Sequence, residues 1–257
     1  MKVAVVQPRI GLGQKESNIR AIAASAISLS KRDVDLACFP ELVTTGYALY
    51  EGWPKAAEEI PGPTTDLLGK ASREAGMYLV VGMPERRGDK IHDSAVLVDP
   101  SGDVAGAYRK VHLWDRERSY FTRGDGFPTF GTKFGKIGIG ICYDIEFPEA
   151  ARAMALDGAN LLLFPSAQPR NMVRRLPVYA MSRASENCAY VAFANLIGRE
   201  ADLTYLGRSL ITSPECKVLA DIRSTPGSAV ADLDFKDLAR FRDELPYLDQ
   251  RVPSTYR

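Results

Sequence analysis

The sequence predicts an α/β fold in which two central mixed β-sheets carry helices on their outer faces, a four-layer α-β-β-α sandwich. The first observation is the strand-helix-strand opening of the chain, where two apolar runs flank a segment with helical spacing of apolar residues. The second is that strand-helix units recur in the other half, and each half has an adjoining hairpin. Two mostly buried sheets with helices outside accommodate this pattern better than one open sheet.

The N-terminal half supplies the elements of one sheet. Pro8 and Pro40 stop two buried strands, Gly76 ends a helix, and residues 100–103 (PSGD) form a strong turn between two strands. A helix between the first two strands favours neighbouring strands joined by a crossover. The predicted elements are strand 3–6, helix 15–32, strand 34–39, helix 64–76, strand 78–82, and a hairpin of strands 94–99 and 104–108.

The C-terminal half is predicted to contain similar units. Gly135 lies at the turn of a hairpin, Gly158 follows a helix, Pro165 ends a strand, and Asp234 can cap the closing helix. The predicted elements are a hairpin of strands 127–134 and 136–142, helix 147–156, strand 161–164, helix 172–188, strand 190–194, a hairpin of strands 209–212 and 218–220, strand 228–233, and helix 235–242.

The domain organisation follows from the absence of any linker or low-complexity segment in the sequence. We therefore expect a single domain over residues 1–257. The final segment, 245–257, shows no periodicity, yet it carries Pro246, Tyr247, Leu248 and Tyr256. This apolar content predicts that the segment packs at a subunit interface.

The composition excludes several classes of function. The chain has 257 residues, of which 46% are hydrophobic and 25% charged, so it is long enough to bury a large core. Its 33 basic and 32 acidic residues leave a net charge of +1, which argues against binding to nucleic acid or to a membrane surface. Its only histidines, His92 and His112, cannot form a His-rich metal site. A Ser-His-Asp triad could use only one of these two residues as its base.

The four cysteines indicate a reducing compartment. Cys38, Cys142, Cys188 and Cys216 form no CxxC pair, and their spacing fits neither a zinc site nor a dense disulfide framework. The first apolar run, VAVV, is too short for a signal peptide, and no run approaches the ~18 apolar residues of a membrane span. We expect a cytoplasmic protein with no membrane partner.

Three segments share one arrangement, in which a buried strand runs into a polar or reactive residue. The first segment ends at Glu41, the second contains Lys110, and the third contains Cys142. Ligands of α/β folds bind beyond the carboxyl ends of strands. The pattern therefore predicts that these three side chains share one site.

The same segments carry a resemblance to a known family. FPEL at 39–42, YRKVHL at 108–113 and GIGICYDIEFPE at 138–149 resemble, in order, the three catalytic motifs of the nitrilase, or carbon-nitrogen hydrolase, superfamily. VAVVQ at the start, LLLFPSA at 161–167 and VADLD near the end extend the similarity over essentially the whole chain. The resemblance implies a hydrolase of non-peptide carbon-nitrogen bonds that has no cofactor and no metal and forms a homodimer or higher homo-oligomer.

The resemblance also implies a role for each residue of the motifs. Cys142 would be the nucleophile, and it needs a base because a free thiol is mostly protonated at neutral pH. Glu41 would take its proton and later give it to the departing ammonia, while Lys110 and the backbone N–H of Tyr143 would stabilise the oxyanion. Glu117, seven residues after Lys110, resembles the second glutamate of family members, which holds the lysine and helps to orient the substrate.

The residues after the nucleophile indicate the branch of the family. Cys142-Tyr143-Asp144 resembles the amidase branches, including ω-amidase-like proteins, whereas nitrile-cleaving members typically show Cys-Trp-Glu. We therefore expect an amidase whose partner is a small-molecule carboxylic amide. Arg170 either meets a substrate carboxylate or is a surface arginine at a helix start. The candidate pocket walls are Tyr47, Trp114, Tyr120, Tyr143, Ser166 and Gln168.

Alternatives from the same and from other classes remain. A nitrilase would use the same cysteine through a thioimidate, and an N-carbamoyl amide hydrolase would use the same catalytic residues. A binding or assembly module of the same fold is opposed by the intact set of Glu41, Lys110 and Cys142. A zinc hydrolase is opposed by the lack of ligand spacing.

One position departs from the family pattern. Many members place Asn before the Ser-Ala that opens the 94–98 strand, whereas this chain has Asp93. We expect the local hydrogen bonding to change there and the catalytic set to be unaffected.

Overall fold

The helices and strands are those of a computed structural model that describes residues 1–256. Arg257, the last residue of the segment expected at an interface, lies outside the described residues. The strands are β1 (Lys2–Gln7), β2 (Leu36–Cys38), β3 (Tyr78–Arg87), β4 (Lys90–Val98), β5 (Val104–Arg109), β6 (Thr129–Thr132), β7 (Gly135–Ile139), β8 (Leu161–Ser166), β9 (Tyr190–Asn195), β10 (Ile197–Glu200), β11 (Leu203–Leu206), β12 (Leu210–Thr212), β13 (Val218–Asp221) and β14 (Gly227–Asp232). The helices are α1 (Lys15–Ser30), α2 (Trp53–Ala56), α3 (Pro63–Ala75), α4 (Pro148–Leu156), α5 (Leu176–Glu186) and α6 (Phe235–Glu244).

The two large sheets have six strands each. Their strand directions follow the same succession when the first sheet is read from β14 and the second from β6. Their orders are β14-β1-β2-β3-β4-β5 and β13-β12-β9-β8-β7-β6. In the first sheet β1, β2 and β3 run parallel and the outer pairs are antiparallel. In the second sheet β7, β8 and β9 run parallel and the outer pairs are again antiparallel. Both sheets are therefore mixed, and β10 pairs with β11 as a separate hairpin.

Apolar side chains hold four layers together. Helices α1 and α3 connect the parallel strands of the first sheet and bury Ile22 and Leu68 on its outer face. Helices α4 and α5 do the same on the second sheet with Met154 and Leu176. The sheets pack against each other through a third cluster, which includes Val3, Val5, Leu36, Cys38, Ile137, Ile139, Leu161 and Leu163. The predicted four-layer α-β-β-α sandwich is confirmed.

Several elements differ from those predicted. Strand β3 extends past the predicted end at residue 82 because it pairs with β4 along its whole length, charged residues included. The predicted helix 172–188 is a 3-10 turn over Val173–Arg175 followed by the shorter α5. The β10–β11 hairpin was not predicted, since charged residues interrupt its alternation. No helix within residues 1–256 combines the length and apolar character needed to cross a bilayer.

The C-terminal segment follows α6, whose N-terminus is capped as predicted. The Asp234 carboxylate accepts a hydrogen bond from the backbone N–H of Lys236 at 2.8 Å. Beyond the helix, Tyr247, Val252 and Tyr256 are 43, 51 and 57% exposed. The single domain and the interface role of this segment stay predictions.

Candidate active site

Lys110 lies at the centre of a buried cluster of charged side chains. Its Nζ is 2.5 Å from Oε1 of Glu41 and 2.7 Å from Oε1 of Glu117. The Oδ2 atom of Asp93 is 3.6 Å away. All four residues are buried, with at most 1% of their surface exposed. The structure thus brings Glu41, Lys110 and Glu117 together, as the sequence motifs imply.

The backbone of Lys110 is fixed on both sides where the chain leaves β5. Its N–H donates to the carbonyl of Asp93 at 2.9 Å, and its carbonyl accepts from the N–H of Gly124 at 2.8 Å. These two bonds pin the residue between β4 and a neighbouring loop. The lysine is therefore held by its backbone as well as by its ion pairs.

Glu117 is fixed through both of its carboxylate oxygens. Its Oε1 atom, besides contacting Lys110, accepts a hydrogen bond from the Tyr47 hydroxyl at 2.6 Å. Its Oε2 atom accepts from the backbone N–H of Trp114 at 2.8 Å. Two of the predicted pocket residues, Tyr47 and Trp114, thus contact the cluster directly, the second through its backbone.

Cys142 lies where the second sheet meets this cluster. Strand β7 ends at Ile139, and Cys142 begins a 3-10 turn with a φ of 45°. Such left-handed backbone is strained for a residue with a side chain, and strained positions of this kind occur at catalytic nucleophiles. The residue is 9% exposed, so a small part of its surface reaches solvent.

Asp144 braces the loops that carry the lysine and the cysteine. Its Oδ2 atom accepts from the Tyr108 hydroxyl at 2.6 Å and from the Ile141 N–H at 2.8 Å. Its Oδ1 atom accepts from the His112 N–H at 3.0 Å and lies 2.7 Å from the Nδ1 atom of that ring. The bracing role of Asp144 was not predicted, although the residue lies within the third motif.

The pKa values of Lys110 and Cys142 are both raised, but for different reasons. Burial alone would lower the pKa of Lys110, but the carboxylates of Glu117, Glu41 and Asp93 outweigh it and raise the pKa well above its ordinary value. Burial raises the pKa of Cys142 well above its ordinary value, and the charge of Glu41 adds to the effect. The lysine is therefore a permanent cation, and the resting cysteine is a neutral thiol.

Asp93 belongs to the cluster, contrary to the expectation that this position leaves the catalytic set unaffected. Ligand oxygens of Glu41, Asp93 and Glu117 all lie within 4.8 Å of one another. Three such carboxylates are a set that could hold a divalent cation, but the ammonium of Lys110 already lies among them and supplies the positive charge. The signal for Asp93 in the sequence was its departure from the Asn that many family members have at this position.

Ser166 and Gln168 lie on either side of a residue that contacts the nucleophile. Burial is the main cause of the raised pKa of Cys142, and the nearby backbone of Ala167, between these two residues, opposes it. Ser166 is buried at the end of β8, and its hydroxyl donates to the carbonyl of Phe164 at 3.1 Å. Gln168 is also buried, and its Oε1 atom has no hydrogen-bond partner within residues 1–256. The unpaired amide oxygen makes Gln168 the more available of the two.

The remaining pocket candidates lie farther from the charged cluster. The ring of Tyr143 packs edge-on against Phe147 with a centroid distance of 4.9 Å. The hydroxyl of Tyr120 donates to Glu51 at 2.9 Å, so it is directed away from Lys110. Arg170 is exposed. The structure does not bring Tyr120 or Arg170 into contact with the catalytic cluster.

Comparison with known proteins gives consistent relatives over nearly the whole chain. The chain is 39% identical over 240 residues to a nitrilase of Pyrococcus abyssi (91% of this chain, 90% of the relative). It is 34% identical to an (R)-stereoselective amidase of a Pseudomonas species (98% of this chain, 91% of the relative). A solved amidase variant from Nesterenkonia sp. AN1 superposes with a TM-score of 0.90 at 28% identity, covering 100% of this chain and 95% of that one.

The family model and a solved structure identify the family of this chain. The Nesterenkonia structure is described as carrying the acetamide moiety of fluoroacetamide, added covalently at its active-site cysteine. The family model described as carbon-nitrogen hydrolase matches residues 2–243 of the present chain. The chain therefore belongs to the carbon-nitrogen hydrolase family, within the nitrilase superfamily, and is an enzyme that hydrolyses carbon-nitrogen bonds.

Proposed function

We propose that the protein is a cysteine-dependent amidase that converts a small carboxylic amide to the acid and ammonia through a thioester. The observation that carries the proposal is the ammonium of Lys110 held between Glu41 and Glu117, next to Cys142. A nucleophile, a base and a fixed cation in one buried site are the groups that this reaction requires. The amidases among the relatives support the same reaction class.

Acylation begins with a neutral thiol, because burial keeps the pKa of Cys142 high. Glu41 accepts the thiol proton while the sulfur attacks the amide carbon, so a C–S bond forms and the carbonyl electrons move onto oxygen. Lys110 and the N–H of Tyr143 hold that oxyanion. The intermediate collapses, the C–N bond breaks, and Glu41 returns its proton to the nitrogen, which leaves as ammonia.

Deacylation uses the same groups, but water is now the nucleophile and the sulfur of Cys142 is the leaving group. Glu41 takes a proton from a water molecule, and the resulting hydroxide equivalent attacks the thioester carbon. The C–S bond breaks, the proton on Glu41 passes to the sulfur of Cys142, and the free acid is released. Glu117 serves throughout by holding Lys110 and the Tyr47 hydroxyl in place.

Nitrile hydrolysis is the second candidate, and the name of the Pyrococcus relative favours it. The sulfur would attack the nitrile carbon to give a thioimidate, and water would then release ammonia and leave the same thioester. N-carbamoyl compounds are a third class that the same residues could hydrolyse. The amide is preferred because of the Cys142-Tyr143-Asp144 sequence.

The test is an ammonia-release assay with matched sets of compounds. Short aliphatic, aromatic and ω-carboxyl amides are compared with the nitriles and N-carbamoyl compounds of the same skeleton. We expect the highest kcat/KM with an amide, no turnover by C142A, and full turnover by C216A, a control at an exposed cysteine. Faster release from the nitriles would assign the enzyme to the nitrilases, and an active C142A would refute the mechanism.

We also propose that the enzyme is a homodimer or a higher homo-oligomer. A surface groove of about 810 Å³ is lined by Val178, Met181, Tyr247 and Tyr256, which come from α5 and the C-terminal segment. Val178 and Tyr256 are among the most exposed large apolar side chains, at 60 and 57%. These apolar side chains, in a groove that Arg152, Glu186 and Arg251 also line, fit the interface role predicted for residues 245–257.

A further inference from the structure

Asp93 is a fourth ionisable group in a site for which the proposed mechanism uses three. It lies on β4 and is completely buried. Its carboxyl group is within hydrogen-bonding reach of the carboxyl group of Glu41. The mechanism gives it no role, so its presence among these residues needs an explanation of its own.

The hydrogen bonds of the cluster leave Asp93 without a donor. Lys110 directs two of its N–H groups at Glu41 and Glu117, and Asp93 Oδ2, at 3.6 Å, lies beyond a normal hydrogen bond. Within residues 1–256, neither oxygen of Asp93 nor Oε2 of Glu41 has a hydrogen-bond partner. A buried carboxylate oxygen without a hydrogen-bond donor is costly, and here both Asp93 and Glu41 have such oxygens in one cluster.

A single proton on Asp93 would give both Asp93 and Glu41 the hydrogen bond that they lack. We propose that Asp93 is a neutral carboxylic acid that donates its O–H to Oε2 of Glu41. This bond positions Glu41 as the base, so the inference rests on the proposed function. The acid supplies the donor that Glu41 lacks. It also leaves the cluster with two carboxylates around one ammonium instead of three.

The surroundings of Asp93 favour the neutral form. Burial and the charge of Glu41 raise its pKa well above the ordinary value, while Lys110 opposes them and Glu117 adds to them. These three are the ionisable groups that face Asp93, from the segments that follow β2 and β5 and from the turn Asp115–Ser119. Its partner on β3 is Pro84, which carries no charge.

The geometry gives Asp93 a positioning role and no contact with substrate. With Oε2 of Glu41 bound to Asp93, the carboxylate has one oxygen fixed on each side, because Oε1 is bound to Lys110. A base held at both oxygens keeps one orientation toward the thiol of Cys142. Two carboxyl groups that share one proton are a known arrangement in enzyme sites.

The proton itself is tested by infrared difference spectroscopy on the enzyme without substrate. The spectrum of D93N is subtracted from that of the wild type at neutral pH. We expect a carboxylic-acid C=O band that is present only in the wild type and moves to lower frequency in D₂O. D157N is the matched control, because hydrogen bonds from Thr129 and Lys136 lower the pKa of the exposed Asp157, and its difference spectrum should show carboxylate and asparagine amide bands but no carboxylic-acid band.

The positioning role is tested by the activities of D93N and D93L. The amide of D93N can donate an N–H to Glu41, so we expect kcat/KM close to that of the wild type. Leucine has a similar size and no donor, and we expect D93L to lose about 10- to 100-fold in kcat/KM relative to D93N. Circular dichroism and thermal unfolding check that both variants fold.

The outcomes separate this proposal from the proposed function. An infrared spectrum without the acid band, or a D93L as active as D93N, would overturn the role of Asp93 while leaving the amidase assignment intact. A D93N as inactive as D93L would also overturn it. If D93L does not fold, the acid band and the activity of D93N decide the question. Because the band is recorded without substrate, the infrared result does not depend on which bond the enzyme cleaves.

Discussion

Asp93 links the chemistry of the site to the stability of the protein. Its ordinary pKa is near 3.8, and burial raises the pKa well above this value in the folded chain. Between the two values the folded protein keeps a proton that the unfolded chain has lost. Unfolding therefore releases a proton, and the contribution of Asp93 to stability falls as the pH rises from about 4 toward its folded pKa.

The substitution D93N should remove this pH dependence. Asparagine carries no titrating proton, so the free energy of unfolding of D93N minus that of the wild type should increase with pH. The slope should approach about 1.4 kcal/mol per pH unit where only the folded protein holds the proton. Urea unfolding of both proteins between about pH 5 and pH 8 measures it. A difference that stays constant over this range would contradict a neutral Asp93.

The sequence predicted the residues at the strand ends better than those within strands. Glu41, Lys110 and Cys142 stand in motifs whose order and flanks are visible in one chain, and the structure places them around one point. Asp93 was noticed only as a departure from a family pattern. Its contact with Lys110 depends on the start of β4 at Lys90 and on its register with β5, whereas the sequence predicted this hairpin only from residue 94 onward.

Each reacting group is presented by the segment that follows a strand, and close packing of the backbone fixes that segment. Glu41 follows β2, and its backbone passes so near β3 that a Cβ atom on Gly82 would lie 2.5 Å from the Leu42 nitrogen and the Pro40 oxygen and 2.7 Å from Cα of Glu41. Only a glycine allows this approach. The position of the base is thus set by a residue that takes no part in the chemistry.

The substitution G82A should therefore displace Glu41. A misplacement of about 1 Å in an active site costs on the order of 100-fold in rate, and we expect a loss of this size in kcat. G131A is the matched control, since a Cβ atom there meets nothing within 4 Å. Steady-state kinetics and thermal unfolding of both variants provide the measurement. Wild-type activity in a folded G82A would argue against the close packing.

The unpredicted β10–β11 hairpin also acts on the site. Glu200, at the end of β10, accepts hydrogen bonds from the N–H groups of Tyr47 at 2.8 Å and Ala48 at 2.9 Å. It thereby holds the loop whose Tyr47 hydroxyl binds Glu117. The two strands have only four residues each, and β10 carries Arg199 and Glu200, so they lack the alternation that sequence analysis depends on and this support was visible only in the structure.

The complete site exists only in the assembled sandwich. Glu41 and Lys110 come from segments of the first sheet, whereas Cys142 and Ala167 come from the second. Packing of the two sheets through their common apolar layer brings these groups together. The fold class could be predicted because both halves contain the same strand-helix units, but the register that aligns the sheets could not.

The surface formed by α5 and the C-terminal segment should carry the contact between subunits. We expect the wild type to sediment as a species larger than 28.2 kDa. V178D and Y247D should dissociate it, because they replace apolar side chains of the groove with charged ones. L67D, at an exposed leucine on α3, is the control and should leave the assembly unchanged. A wild type that sediments only as the monomer would refute the expected oligomer.

The thioester on Cys142 is the central claim of the account, and a partition experiment tests it most directly. An amide and an ester of the same acid are hydrolysed in the presence of hydroxylamine, which competes with water for the acyl group. A common acyl-enzyme requires one ratio of hydroxamate to acid for both substrates, and no hydroxamate from C142A. A ratio that depends on the leaving group, or hydroxamate formed by C142A, would contradict the account.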